Sequence, residues 1–128
     1  MTTPLTRDEA DALFQRRRRA WLESDADAYM ALWSDDMTIE IPGRAEPVRG
    51  KAAYAKLIDD SMKSLKPLSW EIHSLAVDGD RALSEWTLTG EFRANQHGVR
   101  WRGMSICRIE DGLIREWREY WDPASLRR

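Results

Sequence analysis

Apolar residues recur at helical spacing in the first half of the chain and at strand spacing in the second. Ala10, Leu13, Phe14 and Trp21 fall within one stripe of a helix, and the capping box Thr6-Arg7-Asp8-Glu9 opens it, so a helix is predicted from there to about Ser24. A second, short helix is predicted from about Asp25 to Trp33. Asp36-Met37-Thr38-Ile39-Glu40-Ile41 then alternates like a strand until Pro42 stops it, and a loop rich in Pro and Gly leads to Gly50. The spacing of Ala53, Tyr54, Leu57, Ile58, Ser61, Met62 and Leu65 marks a third amphipathic helix from Gly50 to about Leu65, ended before Pro67.

Beyond that point the pattern is strand alone. Leu68 to Val77 and Arg81 to Arg93 flank Asp78-Gly79-Asp80, and a second pair of β-rich runs flanks Glu110-Asp111-Gly112. A three-residue loop ending in Gly suits a type I turn closed by a Gly bulge. In that register Ile109 pairs with Leu113, Ser105 lies opposite Trp117, Gly103 opposite Glu119 and Trp101 opposite Trp121, all on one face. Arg102, Met104, Ile106 and Arg108 with Ile114, Glu116, Arg118 and Tyr120 form the other face. The first hairpin, read the same way, puts Trp70, Ile72, Ser74 and Ala76 with Ala82, Ser84, Trp86 and Leu88. Helices followed by a four-stranded meander describe an α+β fold, with three N-terminal helices covering the concave, tryptophan-bearing face of a curled antiparallel sheet.

Length and charge narrow the class. The 128 residues fit a single domain, 1–128, long enough to bury about two-thirds of the surface of the unfolded chain. Twenty basic and 22 acidic residues are spread over the whole length for a net charge of −2, which leaves no electrostatic footprint for nucleic acid or an anionic membrane. One cysteine, Cys107, excludes an intramolecular disulfide and a cysteine-based zinc site. The first ten residues are polar, and no run approaches the ~20 apolar residues of a membrane span. A cytoplasmic protein is expected.

The chemistry concentrates on the tryptophan-rich face. Trp86, Trp101, Trp117 and Trp121 converge there on a lone acid, Glu119, whereas Trp21, Trp33 and Trp70 are assigned to the core. An aromatic-walled cavity with one or two polar groups suits a small, flat, largely apolar ligand. Among Arg16-Arg17-Arg18-Arg19 only Arg17 falls in the middle of the apolar stripe at 100° per residue. It either snorkels out along its stem or enters the pocket, where Glu119 is its candidate partner. Glu119 is then either a structural counter-charge or a general acid/base, and the two readings shift its pKa in opposite directions. Ser84 and Ser105 face the cavity without a neighbouring His, so hydrogen bonding to ligand is their expected limit. Cys107 reads as an inert core thiol, His73 as a surface residue opposite Glu85, and His97 as a solvated loop residue. No clustered His and acid pattern holds a metal, and no Gly-rich phosphate loop is present.

Ser24-Asp25-Ala26-Asp27, Leu32-Trp33-Ser34-Asp35-Asp36, Thr38-Ile39-Glu40-Ile41-Pro42, Arg49-Gly50-Lys51, Asp111-Gly112-Leu113-Ile114 and Trp117-Arg118-Glu119-Tyr120-Trp121-Asp122 together resemble the nuclear transport factor 2-like superfamily, in its SnoaL-like and ketosteroid isomerase-like branch. The resemblance runs from about Asp8 to Asp122 and implies a cone-shaped fold shared by polyketide cyclases, ketosteroid isomerases, scytalone dehydratases and limonene epoxide hydrolases. Glu119 matches a catalytic Asp of the epoxide hydrolases. Their remaining catalytic positions match Trp86, Leu88, Ile39 and Ile41, so water activation by that constellation is not expected. The isomerases' base and oxyanion hole match Ile41, Arg17 and Ser105, and that mechanism lacks its base here. What remains is a small hydrophobic ligand and cofactor-free cyclase, dehydratase or isomerase chemistry, with Glu119 as proton shuttle and Arg17 as orienting cation. Trp86, Leu88, Trp101, Gly103, Ser105, Trp117, Trp121, Ile39 and Ile41 are the expected ligand contacts. A non-catalytic binding or protein-interaction module is the alternative. The resemblance also implies a homodimer through the outer sheet face, where Met104, Ile106, Tyr120 and Leu83 are apolar anchors.

Overall fold

The computed structural model describes residues 4–126, so the expected 1–128 domain runs past the described residues at both ends. Helix α1, Arg7–Leu22, starts at the capping box: Thr6 Oγ1 accepts the Glu9 N–H at 3.1 Å and Glu9 Oε1 accepts the Thr6 N–H at 3.2 Å. Helix α2, Ala26–Met30, is capped by the Asp25 carboxylate on the Ala28 N–H. It ends before the expected Trp33, because the Leu32 carbonyl accepts the Ile114 N–H at 2.8 Å and draws the chain into the sheet. Strand β1 therefore begins at Trp33 and runs to Glu40, and a two-residue strand β2, Val48–Arg49, lies in what the sequence reads as loop. Helix α3, Lys51–Ser64, is followed by β3, Leu65–Asp78, β4, Arg81–Phe92, β5, Gly98–Glu110, and β6, Leu113–Trp121, before a 3₁₀ turn at Pro123–Leu126.

The six strands form one sheet in the order β2-β1-β6-β5-β4-β3. It is not wholly antiparallel as expected, since β1 pairs with β6 in parallel, with Ile39 beside Trp117. The long connection through β2, α3 and β3 to β5 supplies the crossover that parallel pairing requires.

Both hairpins turn more tightly than the three-residue loops expected, and in each a bulge restores the expected sidedness farther along the strands. At the β5–β6 turn only Asp111 and Gly112 lie between the paired Glu110 and Leu113, and both have positive φ, 53° and 77°, as a type I′ turn requires. Ile109 then pairs with Ile114 and Arg108 with Glu116, leaving Arg115 as the extra residue. Beyond the bulge Cys107 faces Trp117, Ser105 faces Glu119 and Gly103 faces Trp121, two residues from the expected register. An even offset preserves sidedness, so Trp101, Ser105, Cys107 and Trp117 are buried while Met104 and Tyr120 are exposed. Leu113 and Ile114, between turn and bulge, are the exceptions: Ile114 points into the core rather than onto the outer face, and Leu113, expected inside, is exposed.

The β3–β4 turn keeps Asp78 paired with Arg81, and Gly79 has φ 65° at its first position, the type II′ pattern. Its bulge falls at His73, between the pairs Ile72–Trp86 and Ser74–Glu85. Leu75 and Val77 consequently share a side with Ala82 and Ser84, whereas Ser74 and Ala76, expected inside, are exposed. Past the bulge Trp70 and Ile72 return to the expected side beside Leu88 and Trp86.

Buried side chains of α1, α2, α3 and the sheet merge into one core. Trp33 and Trp117 are its largest fully buried members, each worth ~1.5–3 kcal/mol or more on the scale of a fully buried Leu or Phe. Phe14 of α1 meets the Trp117 ring at 5.7 Å, and Trp33 bridges Tyr54 and Trp117 at 4.8 and 6.0 Å.

Candidate functional site

A cavity of about 340 Å³ opens between the core and the surface. Arg17, Ile41, Trp86, Leu88, Trp101, Trp117, Glu119 and Trp121 line it, together with Tyr29 and Tyr54, which the sequence reading did not single out as site residues. Trp21 and Trp70, expected as core only, also contribute to its wall. Among the expected ligand contacts, Ile39, Gly103 and Ser105 do not line it. Ile39 is buried in the β1–β6 pair beside Trp117. Ser105 is tied to Ser84 Oγ at 2.7 Å and to the Trp86 indole N–H at 3.3 Å. Gly103 has no side chain to offer and serves as a clearance, since a Cβ there would meet the Tyr120 carbonyl and come within 3.1 Å of Trp86 Cη2.

Sequence places Trp117, Glu119 and Trp121 at alternate positions of β6, and the pleat turns all three to one side. The two flanking indoles chelate the carboxylate between them: Trp117 Nε1–H donates to Oε1 at 2.9 Å and Trp121 Nε1–H to Oε2 at 2.6 Å. Glu119 is half-buried. With Ile41, Arg44 and Trp121 it also borders a surface groove along Pro42–Pro47, which puts the carboxylate at the cavity mouth. Burial raises its pKa above the usual carboxylate range, and the opposing pull of Arg17 and of the Trp121 and Trp117 hydrogen bonds does not reverse this.

Arg17 does enter the pocket, but its expected ion pair with Glu119 does not form. Among the described residues the guanidinium instead gives Nε–H and an Nη2–H to the Tyr29 hydroxyl, at 3.1 and 2.7 Å. Its Cζ lies 3.8 Å from the Trp117 ring centre, with Trp70, Tyr29 and Trp33 at 5.1 to 5.4 Å. Aromatic faces stabilise a desolvated cation in the place a carboxylate would take. Burial by itself would lower the Arg17 pKa, and Tyr29, Tyr54 and Glu119 more than offset it, so the group stays charged. The Tyr29 hydroxyl is 2.9 Å from that of Tyr54, whose pKa burial and Tyr29 push well above the ordinary phenol value. α1, α2 and α3 thus supply one linked donor chain, and β6 supplies the acid.

The other polar candidates lie apart. His73 is exposed at its bulge and contacts Thr87 Oγ1 at 2.8 Å rather than facing Glu85. Cys107 is buried, with burial pushing its thiol up to about 12, an unreactive state. Among the described residues no group of three or more His, Cys, Asp or Glu is placed to hold a metal ion, and no helix is long and apolar enough to cross a membrane.

Known proteins resemble this chain. The uncharacterized Bacillus subtilis protein YesE is 26% identical over 112 residues, 83% of this chain and 76% of its own length. A candidate isomerase from Bacillus subtilis superposes with a TM-score of 0.84 at 22% identity, covering 93% of this chain and 90% of its own. An epoxide hydrolase of the LEH-like type from M. tuberculosis superposes with a TM-score of 0.79 at 24% identity, covering 93% and 86%. These likenesses establish the fold. Residues 14–117 match the SnoaL-like domain, and the chain belongs to that family.

Proposed function

We propose that the cavity binds a small hydrophobic molecule bearing a carbonyl or hydroxyl group and performs cofactor-free acid/base chemistry of the cyclase, dehydratase or isomerase type. Glu119 is the proton shuttle and Arg17 the orienting cation. One observation carries the reading: an acid whose pKa burial raises stands at the mouth of an aromatic cavity, held by indole N–H donors that fix both oxygens and consume no charge. A carboxylate so poised is a stronger base than one neutralised by a guanidinium, and its orientation is set before ligand arrives. The structural counter-charge reading is weakened by the same geometry, because Arg17 is satisfied by Tyr29 and aromatic faces.

Binding without turnover is the second reading. It is favoured by the wall itself, where Glu119 is the one acid among the described lining residues and no histidine joins it. Glu119→Gln separates the two. The amide keeps the shape and one of the two indole bonds, its NH2 facing the other indole N–H, and it accepts no proton, so an enzyme loses about 10²-fold or more in turnover while still binding ligand. A binding protein has no turnover to lose.

A further inference from the structure

We propose that Arg44 selects the ligand: the molecule taken by the cavity carries an anionic group, a carboxylate or phosphate, at the end that stays at the mouth. Arg44 holds that end while the apolar end lies among the tryptophans. The proposal rests on the reading of the cavity as a small-molecule site and does not depend on the role of Glu119.

Local sequence puts Arg44 there. Ile41-Pro42-Gly43-Arg44 closes as a β-turn, with the Arg44 N–H on the Ile41 carbonyl at 3.3 Å, and Pro42 followed by Gly43 at φ 85° is the type II arrangement. The turn directly follows β1, so Ile41 lines the cavity, and Arg44, three residues on, lines it while remaining exposed. Arg44 also borders two neighbouring grooves, the one along Pro42–Pro47 and a second against α3.

Charge completes the argument. The described lining holds two cations, Arg17 and Arg44, against a single acid, Glu119. Arg17 is satisfied by Tyr29 and by aromatic faces, and indole N–H groups take both oxygens of Glu119. Among the described residues Arg44 makes no ion pair and no side-chain hydrogen bond, so it is the charged group of the lining left without a partner. A guanidinium fork matches the paired oxygens of a carboxylate or phosphate. An anion at this exposed residue keeps part of its hydration, whereas one driven in beside Arg17 would be stripped of water among tryptophans. The two grooves differ in sign. With Arg44, the α3 groove carries Arg49 and Lys56 against Glu46 and Asp60, three cations to two acids, while the Pro42–Pro47 groove sets Glu40, Glu46 and Glu119 against Arg44 alone. The anion is thus directed to the α3 side, past Leu57 and Ser61, which line both cavity and groove.

The test uses 4-(2-naphthyl)butanoate, 3-(2-naphthyl)propyl phosphate and 4-(2-naphthyl)butanamide, which share one apolar end and differ in charge, with affinities from calorimetry. Wild type should bind the anions about threefold to tenfold more tightly than the amide, the upper range for a partly exposed pair of bidentate geometry, and the preference should shrink in high salt. Arg44→Gln should abolish the preference and leave the amide's affinity unchanged, and Arg44→Lys should keep part of it. Arg100→Gln, on the outer sheet face, removes the same net charge and should leave the preference intact. Either anion gaining over the amide supports the site, and the one that gains more identifies the group. An amide bound as tightly as both anions in wild type, a preference that survives Arg44→Gln, or one lost equally in Arg100→Gln would overturn the role of Arg44 and leave the cavity standing as the ligand site. Failure of all three probes to bind would instead overturn the cavity reading and this proposal with it.

Discussion

Replacing Trp121 with Phe removes one of the two indole donors to Glu119 while keeping an aromatic ring in the cavity wall beside Trp101, and Trp117 keeps the other oxygen. A hydrogen bond to a charged group contributes ~1.5–3 kcal/mol, equivalent to a pKa change of ~1–2 at 1.36 kcal/mol per pH unit. At 2.6 Å the bond belongs to the stronger kind, but water at the cavity mouth recovers part of the loss, so a rise of about one pH unit is expected. The Glu119 midpoint is read from the carboxyl carbon by ¹³C NMR, with Glu119→Gln identifying the resonance by its absence. Stability should follow. Because the folded pKa of Glu119 lies above that of an unfolded glutamate, its proton favours the native state fully below the unfolded value near 4.3, and that contribution is lost as pH rises through the folded pKa. Raising that pKa further enlarges the loss, so a midpoint one pH unit higher should make Trp121→Phe cost about 1.4 kcal/mol more at neutral pH than at pH 4. A midpoint that stays put or falls, or a mutational cost independent of pH, would refute the claim that the indoles tune this acid.

Two further outcomes are expected. Gly103→Ala should destabilise by ~1–3 kcal/mol, since the added methyl meets the Tyr120 backbone carbonyl as well as Trp86, and backbone cannot swing aside; a lower urea midpoint at unchanged m-value is the reading. The outer sheet face exposes Met104 by 52% and Tyr120 by 60%, and we propose it as a homodimer contact. Light scattering at micromolar concentration should give twice the chain mass, falling toward one chain in a Met104→Lys, Tyr120→Lys variant.

Much of this architecture is legible in the sequence where the signal is local. The Thr6–Glu9 capping box, the stripe that turns Arg17 inward and the alternation of Trp117, Glu119 and Trp121 each depend on a few adjacent residues. Sidedness on β5 and β6 survives an incorrect turn, because a shorter turn and a one-residue bulge together move the register by an even number. The same compensation acts on β3 only beyond His73, so the sequence misplaces Ser74 and Ala76 but not Trp70. Bulges carry no sequence mark here, and neither does β2, whose two residues exist only through pairing with Thr38 and Ile39. The tyrosines are hidden for a different reason. Tyr29 and Tyr54 are 25 residues apart on separate helices, and each reads alone as an ordinary core aromatic. The Arg17–Glu119 ion pair follows from a charge rule, whereas phenol and indole groups satisfy both ions separately.

On the proposed reading Glu119 takes protons from carbon. Deuterium uptake at the α-carbon of 2-tetralone in D₂O, followed by NMR with wild type and Glu119→Gln side by side, tests this step. Wild type should accelerate exchange above buffer, and the variant should lose that acceleration by about 10²-fold or more while still quenching tryptophan fluorescence on binding the ketone. Exchange no faster than buffer despite binding, or acceleration that persists in Glu119→Gln, would contradict it.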